Sequence, residues 1–238
     1  MENVRFLNLK SMTDGEISAP RPHLCDGVEP ERVKDRVRDE LETIIAPSRD
    51  SRNVLVTNFF LQAKGPHGRI GIAQKQVTLE GAYGSRMMHA VQNFGKETPE
   101  FDDNAYTFSA TYIEGILCLF AHHVAAPTIH TNRHPGYHIT LLRGFHLFDK
   151  SNFADGIYAF RALRQLAHKY REEFIEVANE RAANMPRLQE ARGTDTGKDG
   201  TNEMPSRPGD DEYEGEDEAS APEKDSDANF VEEGIELS

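Results

Sequence analysis

The sequence predicts a mixed α/β domain followed by a disordered acidic tail. Three observations predict it: apolar residues at steps of three and four in three separate segments, apolar or alternating β-branched and aromatic runs between them, and an abrupt change of composition near Met185. The chain has 238 residues, with 27 Lys and Arg against 40 Asp and Glu. From Met185 to Ser238 five basic residues face seventeen acidic ones, a net of −12, which leaves −1 for 1–184. The acidity therefore belongs to the tail and does not exclude nucleic acid as a ligand of the domain.

Residues 1–19 mix isolated apolar residues with Asp14 and Gly15 and read as a loose arm, holding at most a short strand over Val4–Leu9. The domain is expected over 20–184. From Pro30 the residues Val33, Val37, Leu41, Ile44 and Ile45 line one face of an amphipathic helix that ends before Pro47. Val54 to Gly65 is dense in β-branched and aromatic residues and reads as a central, largely buried strand. A glycine-weakened helix follows over about Ile70–Phe94, with Ile72, Gln76, Leu79, Tyr83, Met87 and Val91 as its stripe. In AYTFSATY the period becomes two, that of a half-buried strand with Thr107, Ser109 and Thr111 outward. Glu114-Gly115 turns the chain into ILCLFAHHV as a hairpin, and YHITLLRGFHLF supplies a further strand. From Phe153 a long helix carries Ile157, Phe160, Leu163, Ala167, Tyr170, Phe174 and Val177, and it is expected to cover one face of the sheet. Beyond Met185 the Gly, Pro, Asp, Glu, Ser and Thr content cannot bury enough surface to offset the entropy of ordering, so the tail is expected to be disordered.

Several classes are excluded by composition. No apolar run approaches the roughly 20 residues of a membrane helix. The N-terminus carries charges where a signal peptide would be apolar. Two cysteines, Cys25 and Cys118, make neither a disulfide framework nor a four-cysteine zinc site. An intracellular protein, cytoplasmic or nuclear, is the expectation.

The triplet Gln62-Ala63-Lys64 ends the apolar strand, and its two polar residues share a face. A lysine beside an amide, with an acid from an earlier segment, suits a Mg²⁺ ion and a water next to a phosphodiester, the ion polarising phosphoryl oxygens and the lysine steadying developing charge. Six of the ten histidines, His122, His123, His130, His134, His138 and His146, fall close together, but Pro127, Pro135 and Gly136 forbid the helix that would align them on a metal. They read as surface residues of hairpin ends and a loop. Cys25 beside Asp26 is a poor thiolate, and Cys118 reads as a small core residue. The glycines read as turn and packing residues, because no P-loop Lys-Ser/Thr follows them. Lys64, Arg69, Lys75 and Arg86 are placed along one edge as a modest nucleic-acid-binding row.

From PRPHLCDG through NFFLQAKGPHGRIGIAQKQ, EGAYGSRMMHAVQNFG and DNAYTFSATY to EEFIEVANERA, about two-thirds of the chain resembles an uncharacterised family of fungal proteins. The order of elements also resembles the core of the PD-(D/E)XK nucleases, the restriction-endonuclease-like fold. That resemblance implies a Mg²⁺ site with Pro22-His23 at the Pro-Asp position, Gln62-Ala63-Lys64 at the Glu-x-Lys position, and Gln76 on the helix beside it. His23 and Gln62 replace both expected carboxylates, and a neutral pair holds Mg²⁺ poorly. Mrr-type restriction endonucleases resemble this chain in carrying Gln-x-Lys, and Asp26 lies three residues after His23 as a replacement acid.

The expectation is thus a degenerate nuclease-like domain that binds nucleic acid or a protein partner without efficient catalysis, with no cofactor. The alternative is an active Mg²⁺-dependent phosphodiesterase with catalytic residues Asp26, Gln62, Lys64, His23 and Gln76, in which Asp26 and Gln62 hold the metal. A third reading places the function in interactions of the acidic tail.

Overall fold

The structure, a computed structural model, describes residues 1–12, 18–50, 53–65, 68–129, 131 and 134–186. Among the described residues the fold is α/β: a mixed five-stranded sheet with three α-helices and one 3-10 turn at Pro30–Arg32. In chain order the elements are β1 (Leu24–Val28), α1 (Asp35–Ile45), β2 (Leu55–Lys64), α2 (Ile70–Asn93), β3 (Thr107–Ile113), β4 (Ile116–Ala125), β5 (Gly136–His146) and α3 (Lys150–Asn184). The acidic tail lies outside the described residues, as do His67 and His130. No helix among the described residues is long and apolar enough to cross a membrane.

The strands lie side by side in sequence order. β1 pairs with β2 antiparallel, β2 with β3 parallel, and β3–β4–β5 form an antiparallel meander. The single parallel pair requires a crossover, which α2 provides. Glu114 and Gly115 both have positive φ, 49° and 79°, as a two-residue hairpin turn between right-twisted strands demands.

Helices cover both faces. On one, Phe59 meets Phe160 of α3 edge to face at 5.2 Å, and Ala110, Leu117, Leu119 and Phe145 pack beneath Phe160 and Leu163. On the other, α2 lies close over β2, β3 and β4. Its glycines allow this: a methyl group at Gly81 would sit 2.0 Å from the His122 ring, and one at Gly84 would sit 2.6 Å from Phe60. The C-terminal part of α3 adds Ile175, Ala178 and Ala182 to the core formed with α1, α2, Val37, Ile45, Phe60 and Met87.

The structure corrects several local expectations. Strand β1 is unannounced in the sequence because it is short, carries Asp26 and Gly27, and shifts register between Asp26 and Val28. Residues 1–12 are not a loose arm: Phe6 and Leu9 are buried in the core, and Val4–Leu9 forms no strand, the isolated bridge of this segment pairing Glu2 with Leu24. β3 is buried on both faces, so Thr107, Ser109 and Thr111 lie under α2 instead of facing solvent. The buried stripe of α2 runs through Ala73, Val77, Glu80, Gly84, Met87 and Val91, leaving Ile72 exposed. Cys118 is half-buried, not core, and Val177 is 40% exposed.

Candidate functional site

The register of β1 on β2 determines what meets at the end of the sheet. Leu24 opposes Leu61, which brings His23 beside Gln62. Gln62 is fully buried, and its side chain turns toward α2. Its Oε1 lies 2.5 Å from His23 Nδ1, while its Nε2 donates to the Arg21 carbonyl at 3.2 Å and to Glu80 Oε1. An amide that spends both N–H groups in this way can only accept at its oxygen, and the His23 Nδ1 that faces it also lies 3.4 Å from the Ala63 backbone N–H. The Gln62 amide thus has its donors and its acceptor engaged within the protein.

Glu80 is the acid at this site, and the sequence reading missed it. It projects from the buried stripe of α2 and is 1% exposed. Burial pushes its carboxyl up to about 8, against the opposing pull of the Gln62 amide and the Lys64 charge. At neutral pH the protonated form is favoured. Its Oε2 is buried without a hydrogen-bond partner among the described residues, as is Oε1 of Gln76 one turn earlier. Lys64 is half-buried on the same face of β2 as Gln62, its stem packed so closely by the Gly68 backbone that a methyl there would lie 2.4 Å from its Cβ. His23, Gln62, Lys64 and Gln76 therefore collect around one end of the sheet with Glu80.

Asp26 does not join them. It is held by two hydrogen bonds from Arg164, one of 2.8 Å to its Oδ1, on the face of the sheet that α3 covers. Moving it to Gln62 would require carrying a paired carboxylate through the sheet. The metal set of Asp26 and Gln62 is accordingly corrected: the two lie on opposite faces, and the Gln62 amide is already satisfied. Among the described residues no group of three or more His, Cys, Asp or Glu is placed to hold a metal ion. One buried carboxyl that favours its proton does not fit Mg²⁺, which takes hard anionic oxygens.

The expected basic row divides. Arg69 and Lys75 are exposed near the start of α2, close in sequence to Lys64 at the end of β2. Arg86 is not available to a ligand in the same way: its Nη2 donates to the Lys10 carbonyl at 2.6 Å, its guanidinium lies 4.8 Å over the Tyr83 ring, and burial lowers its pKa. Sharing a helical face with Lys75 did not reveal that the N-terminal segment packs against it.

The histidines are also redistributed. His122 is a core residue under Gly81, its Nε2 2.8 Å from Ser109 Oγ, and burial holds it neutral with a pKa near 3. His123 and His138 stack across β4 and β5 at 4.9 Å. His134 and His146 are exposed. Cys25 is buried and its thiol is pushed up to about 12, chiefly by that burial, so it is no nucleophile.

A second polar group sits under α3. Arg171 is 3% exposed, donating to Asn58 Oδ1 and lying 3.4 Å from the Asp26 carbonyl. The signal was present in the sequence as Arg161, Arg164, His168 and Arg171, spaced by three, four and three on one helical face. Comparison with protein families, curated proteins and solved structures finds no match to this chain.

Proposed function

We propose that this domain binds the phosphate backbone of nucleic acid and does not cleave it. The observation that carries the reading is the closed network of Gln62: its amide is spent on His23, Arg21 and Glu80 at the place where the resemblance implies a metal-binding carboxylate. Glu80 alone cannot replace the missing charge, because its burial favours the protonated form.

Binding has better support. Lys64, Arg69 and Lys75 bracket the start of α2, whose first turn holds no acidic residue and whose Arg69 N-cap makes no side-chain capping bond. Unsatisfied backbone N–H groups and the positive end of the helix dipole favour an anion there. About three cations give a modest affinity and a salt slope near −3 in log–log form.

The test uses the full chain. Isothermal titration is expected to show no binding of Mg²⁺ or Mn²⁺, and incubation with DNA and RNA in the same buffers no cleavage. Labelled oligonucleotides should nevertheless show raised fluorescence anisotropy, and Lys64→Ala should reduce the salt slope by about 1. Metal-dependent cleavage that Lys64→Ala abolishes would make this the active phosphodiesterase. A His23→Asp/Gln62→Glu variant that alone gains metal binding would support the placement of the degenerate site.

A further inference from the structure

On the face of the sheet away from Lys64, a cleft of about 430 Å³ runs between α3 and the β1 edge. Arg161, Arg164, His168 and Arg171 line it from α3, and Asp26 lines it from β1. The spacing of the four α3 residues puts them on one helical face over roughly 15 Å at 1.5 Å per residue. Three guanidinium groups thus share a concave surface with a single carboxylate.

The charges in this cleft are not balanced. Asp26 is fully engaged with Arg164, which is still 48% exposed on its side chain. Arg171 lies at the base, 3% exposed; the acceptors it donates to, the Asn58 amide and the Asp26 backbone oxygen at 3.4 Å, are neutral, and its Nη2 lies 3.3 Å from His168 Nδ1. Its Nε–H is buried with no hydrogen-bond partner among the described residues. Arg161 is exposed and has no hydrogen-bond or ion-pair partner among the described residues. Glu172, the next acid along α3, is taken by Arg32 at 2.6 Å and lies 3.9 Å from His168. A buried guanidinium without a carboxylate of its own is costly, and an anion in the cleft would relieve that cost. Arginine forks match the paired oxygens of a phosphate, and a carboxylate already held by one of them does not block the others.

We propose that this cleft binds a phosphate group, bounded by Arg161, Arg164, His168 and Arg171. The site stands apart from the Lys64 end of the sheet and does not depend on nucleic-acid binding there. The phosphate belongs either to a nucleic-acid backbone or to a free phosphate ester, and the arms of the experiment separate the two.

The experiment titrates the full chain with inorganic phosphate, with a nucleoside monophosphate and with a labelled oligonucleotide, in wild type, Arg161→Glu and Lys64→Ala. Arg161 is exposed and makes no hydrogen bond or ion pair among the described residues, so its replacement should leave the circular dichroism spectrum and the melting temperature in the absence of ligand unchanged. Binding of inorganic phosphate or the monophosphate should weaken about tenfold or more in Arg161→Glu, the effect of losing one charge-assisted contact, and remain unchanged in Lys64→Ala. The oligonucleotide, held also at the Lys64 end of the sheet, is read by whether Arg161→Glu weakens it more than Lys64→Ala does. Loss confined to phosphate and the monophosphate identifies a free ester. Loss that includes the oligonucleotide identifies a backbone. The proposal is overturned if no probe binds, or if every probe that binds is unaffected by Arg161→Glu or is equally weakened by Lys64→Ala.

Discussion

Glu80 makes the stability of this domain depend on pH in a definite sense. Its carboxyl favours the proton more strongly in the folded chain, near 8, than in the unfolded one, near 4.5. The stabilisation it contributes is complete below the lower value and declines as pH rises through the upper one. His122 acts in the opposite direction: held neutral, with a pKa near 3 against an ordinary 6.5, it contributes stability above the higher value and loses it in acid. Between pH 6.5 and 8 the histidine contribution is largely complete and the Glu80 slope dominates. Urea unfolding across that window should show the wild type losing up to about 1.4 kcal/mol per pH unit, and Glu80→Gln, which keeps an oxygen for Gln62, remaining flat. A wild type without that slope would contradict the burial of a protonated Glu80.

At the scale of the element, α2 shows how glycine serves a long helix. In isolation Gly81→Ala would raise helix propensity by up to about 1 kcal/mol. In place, the added methyl would lie 2.0–2.4 Å from Nδ1, Cε1 and Cγ of His122. Overpacking of this kind costs about 1–3 kcal/mol or more, so the expected net effect is destabilisation by about 2 kcal/mol. The same change in a His122→Ala background should be neutral or stabilising. Measured by denaturant unfolding, a cycle without that reversal would contradict the close seating of α2 on β4. Apolar periodicity finds such a helix but not its height above the sheet, since a glycine within a helical stripe signals weakness and close approach alike.

Over the whole molecule, the parts readable from the sequence are those in which local pattern and burial agree. The amphipathic periods gave α1, α2 and α3, and alternation around Glu114-Gly115 gave the β3–β4 hairpin. What escaped is where polar residues are buried: Ser109 with His122, Gln62 with Glu80, Asn58 with Arg171. Each pair joins residues distant in sequence, and no periodicity distinguishes a polar residue satisfied in the core from one facing water. At the candidate site His23, Gln62, Lys64 and Gln76 were legible, Glu80 was not, and Asp26 was assigned to the wrong face because β1 was not seen as a strand. The sheet itself should open unevenly. β5 pairs along one side only and exposes Leu141 and Leu142, whereas β2 and β3 are paired on both sides and covered on both faces. Hydrogen exchange should release amides of Gly136–His146 at lower free energy than those of Leu55–Lys64 and Thr107–Ile113, and equal protection would contradict this order.

Consecutive residues of α2 take hold of different strands: Glu80 grips β2 through Gln62, and Gly81 rests on His122 of β4, with β3 between them. The helix is in this respect a crossbar fastened at adjacent points, unable to slide or roll without disturbing both. A change made at the His122 end is therefore transmitted to Glu80 and the Gln62 amide by rigid geometry.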